Sequence, residues 1–418
     1  MNAYHYENDE LFCENVSIER IAEKFGTPIY LYSKNTIIEK FKKYEQAFSN
    51  VPHTICYALK ANANLKLLQL LASLKSGADI VSGGELFLAL KAGIDPGKIV
   101  YASVGKTDDE INYGINSGIC AFNVESQQEL EIMNEIAQTN GKQAPVAIRL
   151  NPNIDIQGHP YISTGKSMNK FGIDIDISLD LFKKATEMPG IKIVGVHSHI
   201  GSQILNTEYF AASAKKLYQF VSDLNEAGID IEHIDIGGGL GVNYKSIIPE
   251  MAEEQVVVPE PYELAQKVNS ILEPLNCEIF FEPGRSIIAE AGALITKVLY
   301  KKETRGKKFV VVDAGMNDLI RPSLYDAYHQ IVPLHQGDEG REIVDVVGPI
   351  CETGDFLAKD RKIPVVKRGD YLSVMTAGAY GYSLSSNYNS RPRPIEVWVD
   401  GNTIEVIRER DKVEGFLS

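Results

Sequence analysis

The 418 residues predict an α/β fold joined to an all-β one: a closed (β/α)8, or TIM, barrel with a C-terminal antiparallel β-sandwich or barrel domain. Three observations carry that expectation. From about residue 36 to 285, short β-rich runs alternate with longer segments of helical apolar spacing, and the alternation repeats eight times. The runs are apolar throughout, as strands of a parallel sheet covered by helices are. After residue 286 the helical spacing mostly stops, and strand-like runs succeed one another across turns.

In order, the barrel runs are "ICYALK" (55–60), "ADIVS" (78–82), "KIVYAS" (98–103), "AFNVES" (121–126), "PVAIRL" (145–150), "IVGVHSH" (193–199), "IEHIDIGGG" (231–239) and "EIFFEPG" (278–284). Helical segments such as "NLKLLQLLASLKSG" (64–77) and "SQQELEIMNEIAQTNG" (126–141) each finish on a glycine, which reads as a helix C-cap. An open doubly wound sheet is the alternative topology. The expected domains are 36–285 for the barrel, and 1–35 with 286–418 for the β-domain. In the latter, "TPIYLYS" (27–33) supplies an N-terminal strand and "VDGNT" (399–403) a hairpin turn.

Composition narrows the function classes. A net charge of −14 disfavours nucleic acid and anionic membranes as partners, because both are bound through Lys and Arg. The five cysteines, odd in number and far apart, form no CxxC; a disulfide framework or zinc cluster is not expected, and a reducing cytoplasm is. The N-terminus "MNAYHYENDELF" is polar and acidic, unlike a signal peptide, and apolar stretches such as "LLQLLASL" are too short to span a bilayer.

The polar residues point to one place. Barrel active sites lie at the C-terminal ends of the strands. There the sequence puts Lys60, Asp79, Arg149 with Asn151, His197 with His199, the turn Gly237–Gly238–Gly239, and Glu282 to Arg285. A lysine ending an apolar strand either snorkels to solvent or is a desolvated amine ready to attack a carbonyl. Two glycine-bearing turns, "GGGLG" and "EPGR", follow the seventh and eighth strands, where barrels commonly bind phosphate through backbone N–H groups. An amine, a phosphate cradle, a carboxylate and a flat ring are together what pyridoxal 5′-phosphate requires.

With those features, "YALKAN", "HSHIGSQ", "GGGLGVNY", "EPGRSIIAEAG", "DAGMNDLIRPSLYDAYH", "GPICETGDFLAKDR" and "AYGYSLSSNYNSRPRP" run in order along nearly the whole chain. The sequence resembles the fold-type III, alanine-racemase-like pyridoxal-phosphate decarboxylases, and among them the branch acting on meso-diaminopimelate in lysine synthesis. The resemblance implies that Lys60 holds the cofactor covalently, that His199 stacks on its ring and that Glu282 pairs with the ring nitrogen. It implies phosphate contacts from Ser202, Gly239, the backbone of Gly284 and Arg285, and Tyr380. Arg285, Arg321 and Tyr325 are implied for the carboxylate at the substrate's far end, with Glu352 for the ammonium there and Cys351 as proton donor. It also implies a homodimer in which the "CETGD" loop reaches the other subunit's site.

Blander readings stand beside these. His-x-His on a strand also serves metal-dependent hydrolases. His197 reads as structural, and Asp79 either supports Lys60 or caps the next segment. Arg149 reads as a barrel ion pair, Cys351 as an inert thiol and Tyr380 as packing in a bend. Beside the decarboxylase stand a metal-dependent barrel hydrolase, which leaves Lys60 and the glycine turns unexplained, and a silent relative, which loss of Lys60 or Cys351 would favour; both residues are present. Decarboxylases of ornithine, arginine or carboxynorspermidine are the nearer rivals.

Overall fold

All eight expected strands form, and they close. In the computed structural model, which describes residues 3–155, 170–337 and 340–417, they are β1 (His53–Ala58), β2 (Gly77–Ile80), β3 (Ile99–Tyr101), β4 (Ala121–Val124), β5 (Ala144–Asn151), β6 (Ile191–His197), β7 (His233–Asp235) and β8 (Glu278–Phe281). Each pairs in parallel with its neighbours, and β4 with β5 and β8 with β1 complete the ring. The open-sheet alternative is thereby excluded.

Local chemistry sets where the helices begin. The Asn64 side chain accepts the Lys66 N–H ahead of α1 (Leu65–Ser73), Ser82 that of Glu85 ahead of α2 (Gly83–Ala92), and Thr107 with Glu110 forms a full capping box ahead of α3 (Asp108–Ser117). Ser126 does the same for α4 (Gln127–Thr139), which ends as expected with Gly141 left-handed at φ +64°. The α1 expectation fails. That helix ends at Ser73, the left-handed residue is Lys75 at φ +72°, and Gly77 opens β2 instead. The glycine is needed there for space, since a Cβ would lie 2.3 Å from the Lys98 carbonyl oxygen.

Strand periodicity organises the barrel interior. Cys56, Val100, Ala121, Ala147, Val194 and Phe280 form one buried cluster. Side chains two apart on a strand share a face, so two residues past Ala121, Ala147 and Phe280 the same wall carries Asn123, Arg149 and Glu282. An apolar layer thus gives way to a polar one toward the C-terminal ends.

The chain divides into two compact units, one of residues 41–241 and 259–286, the other of 1–40, 242–258 and 287–418. In the second unit the long strand Gly292–Thr304 pairs antiparallel with Ile29–Ser33, with Lys307–Val312 and with Tyr371–Val374. Ile395–Asp400 and Thr403–Arg408 form the expected hairpin around Gly401. The domain is mostly antiparallel. Two pairs depart from that, Ile29–Ser33 with Ile395–Asp400 and Lys307–Val312 with Arg341–Val347. Its core gathers Leu11, Ile21, Leu31, Ile295, Val332 and Val397 around the buried Ile248. The Gln330 side chain brackets Ile248, accepting its N–H and donating to its carbonyl, both at 2.9 Å.

His233 on β7 stacks on Phe280 at 4.4 Å, and its Nε2 is buried with no hydrogen-bond partner among the described residues. Burial pushes the imidazole from 6.5 down to about 4. Because the unfolded chain binds this proton more readily, His233 contributes stability that is complete above pH 6.5 and lost as pH falls toward 4. His233→Phe, which keeps the ring stack, is expected to flatten the loss of melting temperature across that window. An unchanged slope would place the acid sensitivity elsewhere.

Candidate active site

Lys60 stands in a single helical turn (Leu59–Ala61) directly after β1, half-buried, and its Nζ donates to Asp79 Oδ2 at 2.8 Å. Asp79 on β2 is fully buried, and among the described residues its Oδ1 has no hydrogen-bond partner. Burial and the nearby Glu282 charge push the Asp79 carboxyl up to about 7, against the pull of Lys60. An acid beside an amine, with a pKa near neutrality, can take the amine's proton.

Glu282, one residue past β8, is buried beneath the same mouth. His197 Nε2 lies 3.3 Å from both its oxygens, and Asn123 Nδ2 donates to Oε1 at 3.3 Å. Burial alone would raise its pKa, but His197 and Lys60 more than cancel that and hold it below the usual carboxylate range. His199 is neutral by geometry, since its Nδ1 accepts the Gly238 N–H at 3.1 Å. Desolvation and the Lys60 and Arg149 cations lower its pKa further. The two histidines of "HSH" therefore diverge: the cluster that could share one ion is His197, Asp235 and Glu282, and it excludes His199.

The glycine turn is built for close approach. Gly237 and Gly239 have φ of +69° and +113°. A Cβ on Gly238 would sit 2.1 Å from the Glu282 carbonyl oxygen, and one on Gly239 2.2 Å from that of Gly201. Beside the turn, Arg285 donates to Ser202 Oγ at 2.9 Å through Nη2. Gly284 packs on Ala58 and Ala61, next to Lys60. Arg149 makes the expected ion pair, at 2.8 Å to Glu125, whose other oxygen accepts the Gly172 N–H. Lys60, Asp79, His199, Ser202, Gly239, Glu282, Gly284 and Arg285 thus all lie in the barrel unit, at the C-terminal ends of its strands.

Arg321, Tyr325, Cys351, Glu352 and Tyr380 belong to the other unit. Arg321 is buried at the start of a short helix (Arg321–Tyr325). It donates from Nη1 to His329 Nε2 at 2.8 Å, and its guanidinium lies 4.7 Å from the Tyr244 ring centre. His329 can accept because its Nδ1 donates to the Met375 carbonyl at 2.8 Å, which fixes the neutral tautomer. Ser323 of the helix donates to the Gly354 carbonyl, tying "RPSLY" to "CETGD". Within that loop Asp355 accepts the Met316 and Ile350 N–H groups, both at 2.6 Å, leaving Cys351 and Glu352 exposed. Tyr325 is half-buried, and Tyr380 holds a left-handed backbone at φ +56°, an unusual conformation for so large a residue.

Asp235, Asn123, Glu125 and His329 are the residues that sequence reading passed over. A carboxylate inside the apolar run "HIDI" was the available sign for Asp235. Nothing local singles out Asn123 or His329.

The fit to pyridoxal phosphate rests on the donor set: a half-buried amine beside a proton acceptor, an ionised buried carboxylate, a neutral imidazole and a turn with no room for side chains. Residues 34–289 match the family described as pyridoxal-dependent decarboxylase, pyridoxal binding domain, which is the class this barrel and its lysine define. Over 98% of its length the chain is 50% identical to diaminopimelate decarboxylase of Aquifex aeolicus, covering 95% of that protein. The crystal structure of diaminopimelate decarboxylase from Helicobacter pylori complexed with L-lysine superposes with a TM-score of 0.90 at 44% identity, over 96% of this chain and 98% of that one. That of the M. jannaschii enzyme in complex with L-lysine gives 0.93 at 38% identity, over 100% and 98%. The chain belongs to the diaminopimelate decarboxylases.

The Gly238 contact yields a test. Gly238→Ala must part the turn from the end of β8, and is expected to cost about 1–3 kcal/mol in denaturant unfolding, as other overpacked sites do. A variant as stable as the parent would show that the turn can yield.

Proposed function

We propose that the protein decarboxylates meso-2,6-diaminopimelate to L-lysine and carbon dioxide with pyridoxal 5′-phosphate, the last step of lysine biosynthesis. The observation that carries the reading is the Lys60–Asp79 pair at 2.8 Å beside the ionised Glu282. When bound, pyridoxal phosphate supplies a conjugated ring that takes up the electron pair left at the substrate's α-carbon as carbon dioxide departs.

The chain's own residues do the rest. Lys60 hands its proton to Asp79 and so becomes a nucleophilic amine for the cofactor's aldehyde. Glu282, kept ionised, holds a proton on the ring nitrogen. Neutral His199 offers a flat face to the ring without adding charge. Ser202, Gly239, the backbone of Gly284 and Arg285, and Tyr380 bind the phosphate. Tyr380 and Arg285 extend to the substrate. Arg321, with Tyr325, binds the carboxylate at the far end, Glu352 binds the ammonium there, and Cys351 returns a proton to the α-carbon.

Arg321 is what distinguishes the substrate. A guanidinium held rigidly by His329 and Tyr244 suits a carboxylate, whereas the cationic tails of ornithine and arginine would be repelled. With Cys351 and Glu352 exposed on their own unit, the loop is free to complete the site of a second copy, so the working form is a homodimer. Among the described residues no helix is long and apolar enough to cross a membrane. The proposed location is the cytoplasm.

The direct test is carbon dioxide release from meso-diaminopimelate, L-ornithine and L-arginine, with and without pyridoxal phosphate. Release from meso-diaminopimelate alone, dependent on the cofactor, is expected. Release only from another amino acid would overturn the Arg321 assignment while keeping the chemistry. Arg321→Ala is expected to raise KM about 10- to 100-fold, the worth of one charge-assisted contact, and to leave the bound cofactor's absorbance unchanged. Lys60→Ala should abolish both the absorbance of covalently held cofactor and turnover.

A further inference from the structure

Asp235 has no part in the roles assigned so far, yet it lies among the residues that carry them. It ends β7, is fully buried, and accepts the Gly237 N–H on Oδ1 at 2.8 Å, while among the described residues Oδ2 has no hydrogen-bond partner. It offers one oxygen within 4.8 Å of ligand atoms of both His197 and Glu282. Asp79 is a third carboxylate in the same interior, and the Cys56 thiol also feels Asp235.

Two buried carboxylates as close as Asp235 and Glu282 cannot both ionise; one keeps a proton. Hydrogen bonding decides which. Glu282 has His197 at both oxygens and Asn123 at one. Asp235 has one backbone N–H and a bare second oxygen. It has the weaker claim to a negative charge.

We propose that Asp235 is protonated in the working enzyme and donates from Oδ2 to the Glu282 carboxylate, a positioning residue that fixes Glu282 for the cofactor's ring nitrogen. Burial and the Glu282 and Asp79 charges push its carboxyl well above the ordinary range, while Glu282 is held below it. The pair thereby divides into one neutral acid and one anion. The same proton supplies the hydrogen bond between the two side chains.

The positioning role rests on the pyridoxal-phosphate reading; the proton does not. The holoenzyme is compared with Asp235→Asn and Asp235→Ala by infrared difference spectroscopy, each variant's spectrum subtracted from the parent's so that any acid band from Asp79, common to both, cancels. The parent is expected to show the carbonyl stretch of a protonated carboxylic acid, and Asp235→Asn to lose it. Asparagine can still donate to Glu282 and accept from Gly237, so its kcat should stay near the parent's. Asp235→Ala should lose about tenfold or more in kcat, with KM little changed, as one buried hydrogen bond is removed. A parent-minus-Asp235→Asn spectrum with no acid band overturns the proposal, as does a kcat for Asp235→Asn as low as that of Asp235→Ala. If Asp235→Ala does not fold, the Asp235→Asn band and kcat decide alone. If the parent releases no carbon dioxide, the decarboxylase reading fails, and the infrared band still decides the proton.

Discussion

The charge balance inside the barrel is the constraint to which the rest of the site answers. Asp79, Asp235 and Glu282 are three buried carboxylates, and Lys60 is the cation bonded to one of them. Burying an unpaired charge costs several kcal/mol, so the interior must share out protons and hydrogen bonds until each group is accounted for. His197 and Asn123 serve Glu282, and Lys60 serves Asp79. The groups most useful to the chemistry, an amine with a nearby base and an anion with no competing proton, are products of that sharing.

The apolar layer beneath makes the arrangement possible. Cys56, Val100, Ala121, Ala147, Val194 and Phe280 fill the barrel below the polar ring. Small residues at Gly77, Gly195 and Gly238 let strands and turns approach where a Cβ would collide. The polar side chains therefore stand on a close-packed floor, and strand periodicity sets Asn123, Arg149 and Glu282 on one wall above it. The other unit uses a different device for the same end. Arg321 is held between a histidine of fixed tautomer and an aromatic ring, and the Asp355 carboxylate knots the base of the loop that exposes Cys351.

Much of this was legible in the residue order. The eight strands could be placed because each is an apolar run ended by a polar residue, and the barrel reading of Lys60, Asp79, His199 and Glu282 followed from strand ends alone. The helix stop at Gly77 was misread because glycine serves two purposes: it relieves backbone strain at helix ends, and it makes room where another chain segment passes. The parallel pairing of Ile29–Ser33 with Ile395–Asp400 joins segments more than 360 residues apart, as the register Ile395↔Ile29 shows, and no local pattern announces such a partner. Asn123 and His329 matter only through what they touch. A contact across the fold leaves no periodicity in the sequence, and Asp235 left only the faint mark of an acid in an apolar strand.

The excursion of residues 242–258 into the second unit affects the order in which the molecule can be completed. Ile248 is bracketed by a side chain that follows it by 82 residues. On the ribosome, β8 has been synthesised before Gln330 exists, so the nascent barrel can close its ring of strands while the loop between β7 and β8 still lacks its anchor. Ile248, wholly buried in the finished protein, is then an exposed apolar residue on an otherwise closed barrel. Cutting the gene after the eighth strand would freeze the molecule at that stage. A contiguous barrel fragment would therefore carry a loop whose anchor, Gln330, lies in the residues it lacks.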